Sequence, residues 1–328
     1  MPTPFPPTPH FAPFKAGEFR WSMGLTPLDL DDWIQVDSYS PSDLAEKERL
    51  LAERHSDVFD AYPEGLPGSR EVLALLADHL PTRFPELYER DDDDLIYLPT
   101  DQRWSLDDNT LHPLDLAARL VQEDLCLMRR DPDDDVYRLI AASVCFPTGW
   151  TLADKMGGSV AAIHAPIPNY DSQLGSTMDR FFDRIKVDRP VLRLNWNLMT
   201  DPSLYQPSRN ERSTSDRRNS RSELSTSDRR SKSHVRKQSI PVTPDNAGDR
   251  LWLRVERQTL RRLPQTQDIL FTIRILVRPL SQIGKQANDP NEASRLRAAL
   301  QAVPPEVRNY KGLPRVLDTA LAYLSQAD

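Results

Sequence analysis

The sequence predicts an α+β fold, an antiparallel sheet with helices around it. Helical periodicity dominates the first part of the chain and returns at its end. Between these stretches lie five short runs rich in aliphatic and β-branched residues. A hydrophobic content of 38% and a charged content of 28% over 328 residues suit a soluble globular chain with some disordered sequence, able to bury one large core or two smaller ones.

The elements follow in order. "MPTPFPPTPHFAPFKAG" opens the chain as a proline-rich arm, residues 1–19, that packs through Phe5, Phe11 and Phe14. "SDLAEKERLLAERHSDVFDAY" (42–62) reads as a helix with Leu44, Leu50, Leu51 and Val58 on one side. "SREVLALLADHL" (69–80) reads as a second, capped by Ser69 and stopped by Pro81. "PLDLAARLVQEDLCLMRR" (113–130) reads as a third, with proline at its start and two arginines in its last turn. The acidic runs at 91–94 and 131–135 read as solvated loops. "VYRLIAASVCF", "SVAAIHA", "PVLRLNWNL", "RLWLRVERQTL" and "DILFTIRILV" then read as strands, with a helix at 172–185 between the second and third. "PNEASRLRAALQAV" and "LPRVLDTALAYL" close the chain as helices.

Residues 205–249 break this pattern. They are poor in apolar residues, rich in Ser, Arg and Asp, and repeat "STSDRR" after twelve residues. Such sequence buries too little surface to offset the entropy of ordering, so a disordered insertion is expected between 20–204 and 250–328. "RRNS" and "RKQS" offer Ser220 and Ser239 for phosphorylation, or simply belong to a spacer. Ten Lys/Arg against four Asp/Glu in 209–237 leave the rest of the chain at a net charge of −13. Such a body argues against nucleic acid as the main partner.

No apolar run is long enough to span a bilayer, and no secretory signal is evident. Cys126 and Cys145 form neither a disulfide framework nor a zinc spacing, so a reducing, cytoplasmic compartment is expected. Oligomeric state is not legible.

Three strands carry polar residues where an apolar face is usual. Alternation sets Arg193, Asn195 and Asn197 opposite Leu192, Leu194 and Trp196. It also sets Trp252, Arg254, Glu256 and Gln258 opposite Leu251, Leu253 and Val255, and Thr272 and Arg274 opposite Ile269, Phe271, Ile273 and Ile275. An open sheet with one wet face accounts for this. So does a concave face that binds a flat, charged cofactor, since Arg and a carboxylate suit specific networks.

His164, in "KMGGSVAAIHAPIPNY", ends an apolar run and precedes two prolines. It reads either as a packed core histidine or as an axial ligand, for which a neutral imidazole must be held in one orientation. No His-x-x-x-His or Cys-x-x-Cys spacing accompanies it.

Several ordered motifs then carry a resemblance. "WSMGL", "WIQVDSYSP", "VQEDLCLM", "YRLIAASVCFPTGWTLADKMGGSVAAIHAPIPNY", "RPVLRLNWNL", "LRVERQTLRRLPQTQDILFTIR" and "YKGL" follow one another between residues 21 and 313. In this the chain resembles the heme-dependent oxidative N-demethylase family, alpha-subunit type. The resemblance implies a PAS-like five-stranded sheet that binds heme b, and oxidative removal of a methyl group from a small secondary alkylamine with release of formaldehyde. It makes His164 the iron ligand. Arg193, Arg254 and Tyr170 become candidates for cofactor contact, and Glu256, Arg257 and Gln258 for catalysis, with Glu256 holding the alkylammonium. The chain has no Gly-rich dinucleotide fingerprint and too few cysteines for an iron–sulfur cluster. Electrons are therefore expected from a flavin or iron–sulfur partner protein. The alternative is a non-catalytic heme or small-molecule sensor or interaction module.

Overall fold

The computed structural model describes residues 5–14, 17, 19, 21–169, 176–208, 241–284 and 289–326. Most of residues 205–249, including Ser220 and Ser239, and also Tyr170, lie outside them. The two ends of that stretch are described and folded. Gln206 bridges to Thr148, and Ala247–Arg250 is a helical turn.

The fold is α+β, but its main sheet has seven strands in the order β1-β8-β9-β10-β6-β7-β2. Four expected strands appear at β7 (Tyr137–Ser143), β8 (Val191–Met199), β9 (Trp252–Arg262) and β10 (Ile269–Pro279). Short pieces, β1 (Thr26–Pro27) and β2 (Phe59–Ala61), pair at the two edges, and every pairing is antiparallel. The expected five-stranded PAS-like sheet is thus corrected to this larger one.

The largest revision is β6, Asp124–Arg130, where a helix was expected to continue to residue 130. Only α4, Pro113–Arg119, is helical. Leu125 and Leu127 enter the core below the sheet, while Cys126 and Met128 enter the core above it. A strand buried on both faces loses the period-two signal and reads like a buried helix.

The segment at 42–62 divides into α1 (Ser40–Glu53), α2 (His55–Val58) and β2. The second helix, α3, runs over Leu66–Arg83. It starts earlier than Ser69, whose hydroxyl donates to the Gly65 carbonyl at 2.8 Å. Pro81 stands inside its last turn, and the helix ends two residues later. "DDDD" is the turn between β3 (Tyr88–Asp91) and β4 (Asp94–Tyr97) of a separate sheet completed by β5 (Gln102–Ser105). Asp92 at its tip takes a φ of 50°.

Below the sheet, one core joins α3 to β6, with Leu73, Leu76 and Leu80 beside Leu127 and Leu270. A second sets Leu251, Leu253 and Val255 of β9 and its approach against the helices Glu292–Ala302 and Leu317–Leu324. The N-terminal arm belongs to these cores: Phe5 packs on the first, Phe11 and Phe14 on the second. Between them runs a buried ionic network. Arg274 donates to Asp37 (3.2 Å) and Asp43 (3.1 Å), and Gln122 donates to Asp43 (2.7 Å). Among the described residues no helix is long and apolar enough to cross a membrane.

Candidate functional site

The register of the three central strands builds the site. Arg193 pairs with Gln258, Asn195 with Glu256 and Asn197 with Arg254, while Ile273 and Ile275 of β10 flank Gln258 and Glu256 on the other side. Trp252, Glu256 and Gln258 are half-buried, whereas Leu253, Val255, Arg257 and Thr259, pointing the opposite way, are buried. The polar face is therefore the more open one, as the alternation predicts.

Glu256 is its centre. Oε1 accepts from the Thr148 hydroxyl (3.0 Å); Oε2 accepts from Gln258 Nε2 (2.8 Å) and Asn195 Nδ2 (3.2 Å). Gln258 thus orients the carboxylate. The aliphatic side chains of Ile273 and Ile275 line the next strand, so an anionic acceptor sits beside apolar neighbours. Such a pairing suits an alkylammonium, whose charge needs a carboxylate and whose methyl groups do not.

Arg254 is 1% exposed and already committed. Nε donates to Thr148 Oγ1 (2.9 Å), and its terminal nitrogens donate to the carbonyls of Ser203 (3.2 Å), Phe146 (2.8 Å) and Leu204 (3.0 Å). Four of five N–H donors are spent on two loops, which leaves little for a carboxylate ligand. Arg257 belongs to the other face, against the expectation that it joins Glu256 and Gln258. It donates to the carbonyls of Trp33 (3.1 Å) and Asp32. A strand sends i and i+1 to opposite sides, so the charges in "RVERQ" cannot all share one site.

His164 sits on a helix, not a strand. Gly157 and Ser159 extend along the outer edge of β7, where Gly157 N–H donates to the Leu139 carbonyl (2.9 Å) and Ser159 bridges to Arg138. The glycines allow the protein itself to approach closely: a Cβ on Gly157 would lie 2.9 Å from the Tyr62 hydroxyl. With the edge occupied, the chain turns away. Ser159 Oγ caps Ala162 N–H (3.1 Å) and starts α5, Val160–His164. Lys155 Nζ donates to the Ile163 carbonyl (2.7 Å) at the helix end, a structural task.

The Nδ1 of His164 lies 2.7 Å from the Val160 carbonyl. A carbonyl only accepts, so Nδ1 carries the proton and Nε2 the lone pair. Burial, with the charges of Arg193 and Lys155 nearby, lowers its pKa below the ordinary histidine value. A neutral imidazole fixed through Nδ1 offers the kind of nitrogen donor that heme iron takes, so His164 would suit as the residue holding a heme. Among the described residues, no cluster of three or more His, Cys, Asp or Glu could hold a metal ion. A single-histidine site needs no such cluster.

The Arg193 charge acts on both His164 and Lys311, lowering the pKa of each. Sequence reasoning gave no role to Thr148, Asn195 or Lys311. Asn195 was legible in part, since it shares the Arg193 face. Thr148 and Lys311 stand in the quoted motifs "FPTGW" and "YKGL", but only folding brings them to Glu256. A shallow depression of about 930 Å³ near the β9–β10 turn is no rival. There Arg129 is paired with Asp268 (2.7 Å) and Arg262 is bound to the Ile185 carbonyl (2.7 Å).

Compared with known families, residues 24–321 match the model described as "Haem-dependent oxidative N-demethylase, alpha subunit-like".

Proposed function

Since the chain belongs to the heme-dependent oxidative N-demethylase, alpha subunit-like, family, we propose that it binds heme b through His164 and demethylates a small secondary alkylamine held at Glu256. What supports this reading is a neutral, oriented histidine, an arginine whose charge reaches it, and, beside that arginine in the β8–β9 register, a carboxylate with aliphatic neighbours. On this reading 20–204 and 250–328 form one heme-binding unit, and 205–249 is an insertion in it.

Heme, when bound, supplies the iron chemistry that activates oxygen or peroxide toward an N-methyl group. The chain supplies position and charge. The Val160 carbonyl holds the His164 ring in the tautomer that presents Nε2. Arg193 is the guanidinium suited to a propionate carboxylate. Glu256, fixed by Thr148, Gln258 and Asn195, pairs with the ammonium. Arg254 and Arg257 serve structure, because their donors are engaged with the protein's own carbonyls. We place the electron donor, a flavin or iron–sulfur protein, on a partner polypeptide; the alpha-subunit description of the family supports a partner.

A spectrum of the purified protein after expression with ample heme tests this. The expected result is a Soret band that His164→Ala weakens or shifts, with formaldehyde released when amine, oxygen and reductant are added. An unchanged His164→Ala spectrum removes His164 as ligand. Heme without amine-dependent formaldehyde leaves the sensor reading, and no heme removes both.

A further inference from the structure

Lys311 follows the helix Pro305–Tyr310 and precedes Gly312, whose φ of 67° turns the chain sharply. β1 pairs only with Val191 and Leu192, so the outer edge of β8 continues beyond it without a strand partner among the described residues. Lys311 covers that edge. Nζ donates to the Trp196 carbonyl and to Asn195 Oδ1 (3.2 Å), and its own carbonyl accepts from Asn197 Nδ2 (3.0 Å). Covering an edge needs only a donor. A lysine also brings a charge, and Asn195 carries it to within one side chain of Glu256: its amide donates to Glu256 Oε2 while its oxygen accepts from Lys311.

The Glu256 site thus has two cations beside it before any ligand enters: Lys311, linked through Asn195, and Arg193, opposite Gln258 and acting on Lys311. An alkylammonium at Glu256 adds a third, and like charges brought together in a half-buried site disfavour one another. We propose that Lys311 is the resident cation beside Glu256 and gives up its proton when the amine cation binds, so that amine binding and proton release are one linked step. This rests on Glu256 being the amine site. No bond to carbon changes and no electron moves: the alkylammonium is bound intact, Lys311 passes from ammonium to amine, and the proton goes to the solvent buffer.

The charges acting on Lys311 are Glu256 from β9 and Arg193 from β8; the phenol of Tyr310, its neighbour in the chain, feels the same Glu256 charge. Arginine keeps its proton throughout the accessible range. Burial, together with the Glu256 charge, raises Tyr310 above its ordinary value. Burial brings Lys311 down to about 8, against the pull of Glu256 and helped by Arg193. Lys311 is therefore the group with a proton to release near neutral pH.

Calorimetric titration of the heme-loaded full chain with dimethylammonium chloride, repeated in buffers of different ionisation enthalpy, counts the protons released per amine bound. With Lys311 at about 8, roughly 0.7 of a proton is expected near pH 7.5, falling toward zero above about pH 10. Lys311→Met should abolish the release and bind the amine roughly fivefold tighter. Lys311→Arg keeps the edge donor and the charge but has no proton to release, so it should bind roughly fivefold more weakly, again without release. A lysine that only covers the edge would leave Lys311→Arg binding like wild type; that result, or equal release in wild type and Lys311→Met, overturns the proposal. Glu256→Gln separates the premise. If it binds the amine as wild type does, or if wild type binds none, the amine-site reading fails and this proposal with it. If binding needs Glu256 but releases no proton, only the role of Lys311 fails.

Discussion

Thr148 donates its hydroxyl proton to Glu256 at 3.0 Å, and a third residue holds that hydroxyl from its acceptor side. Arg254 Nε donates to the same oxygen at 2.9 Å, so the single hydroxyl proton of Thr148 is turned toward the carboxylate. A fully buried arginine thereby orients a half-buried carboxylate through one intervening hydroxyl.

Thr148→Val removes that link at nearly constant volume. It should lower kcat/KM for the amine by about tenfold, the worth of one hydrogen bond to a charged group, while leaving the Soret band in place. A simultaneous loss of heme would show that Thr148 supports the fold of the site more than the carboxylate.

Glu256→Gln keeps the shape and removes the charge. Loss of the ammonium's partner should cost about 2–4 kcal/mol in kcat/KM, with heme content unchanged. Heme content and steady-state kinetics on one preparation separate this from a folding defect.

Arg274→Met should destabilise the fold by about 3–5 kcal/mol, because it leaves Asp37 and Asp43 buried beside each other without their guanidinium. Burial already raises the Asp43 carboxyl above its ordinary value, and the Arg274 charge is the main force opposing that. Urea unfolding near pH 7.5 measures the cost; a change under about 1 kcal/mol would contradict the network's importance.

His79 packs edge-on against Trp33 at 5.3 Å, and burial lowers its pKa to about 4, helped by Arg261 and Arg83. The unfolded chain takes up this proton near 6.5 and the native state only near 4. The stabilisation from a neutral His79 is thus fully present above about 6.5 and is lost as pH falls toward about 4. Wild type should lose about 1–3 kcal/mol relative to His79→Gln across that window, after allowance for partial exposure. Urea unfolding of both proteins at several pH values checks the difference, and a pH-independent gap would refute it.

Sequence periodicity reached far where one face of a strand is open and the other closed. In β9 the alternation put half-buried Glu256 and Gln258 together and apart from buried Leu253 and Val255, and the register sets Asn195 of β8 beside them. The same rule fails for β6, whose neighbours Leu127 and Met128 are both buried, in different cores. It also fails for α5, where four apolar or small residues before His164 suit either state and the occupied edge of β7 chooses the helix.

By itself the sequence determined the family, the α+β class, the polar strand faces and the histidine before the prolines, because all of these are local patterns or ordered motifs. Tertiary structure alone decided which charges meet. It spent Arg254 on two loops, brought Thr148 to the carboxylate from 108 residues away, and set Lys311 against the Asn195 side chain that bonds that carboxylate. Hydrogen bonds act over about 3 Å in space. Separation along the chain does not encode that distance; the folded register does.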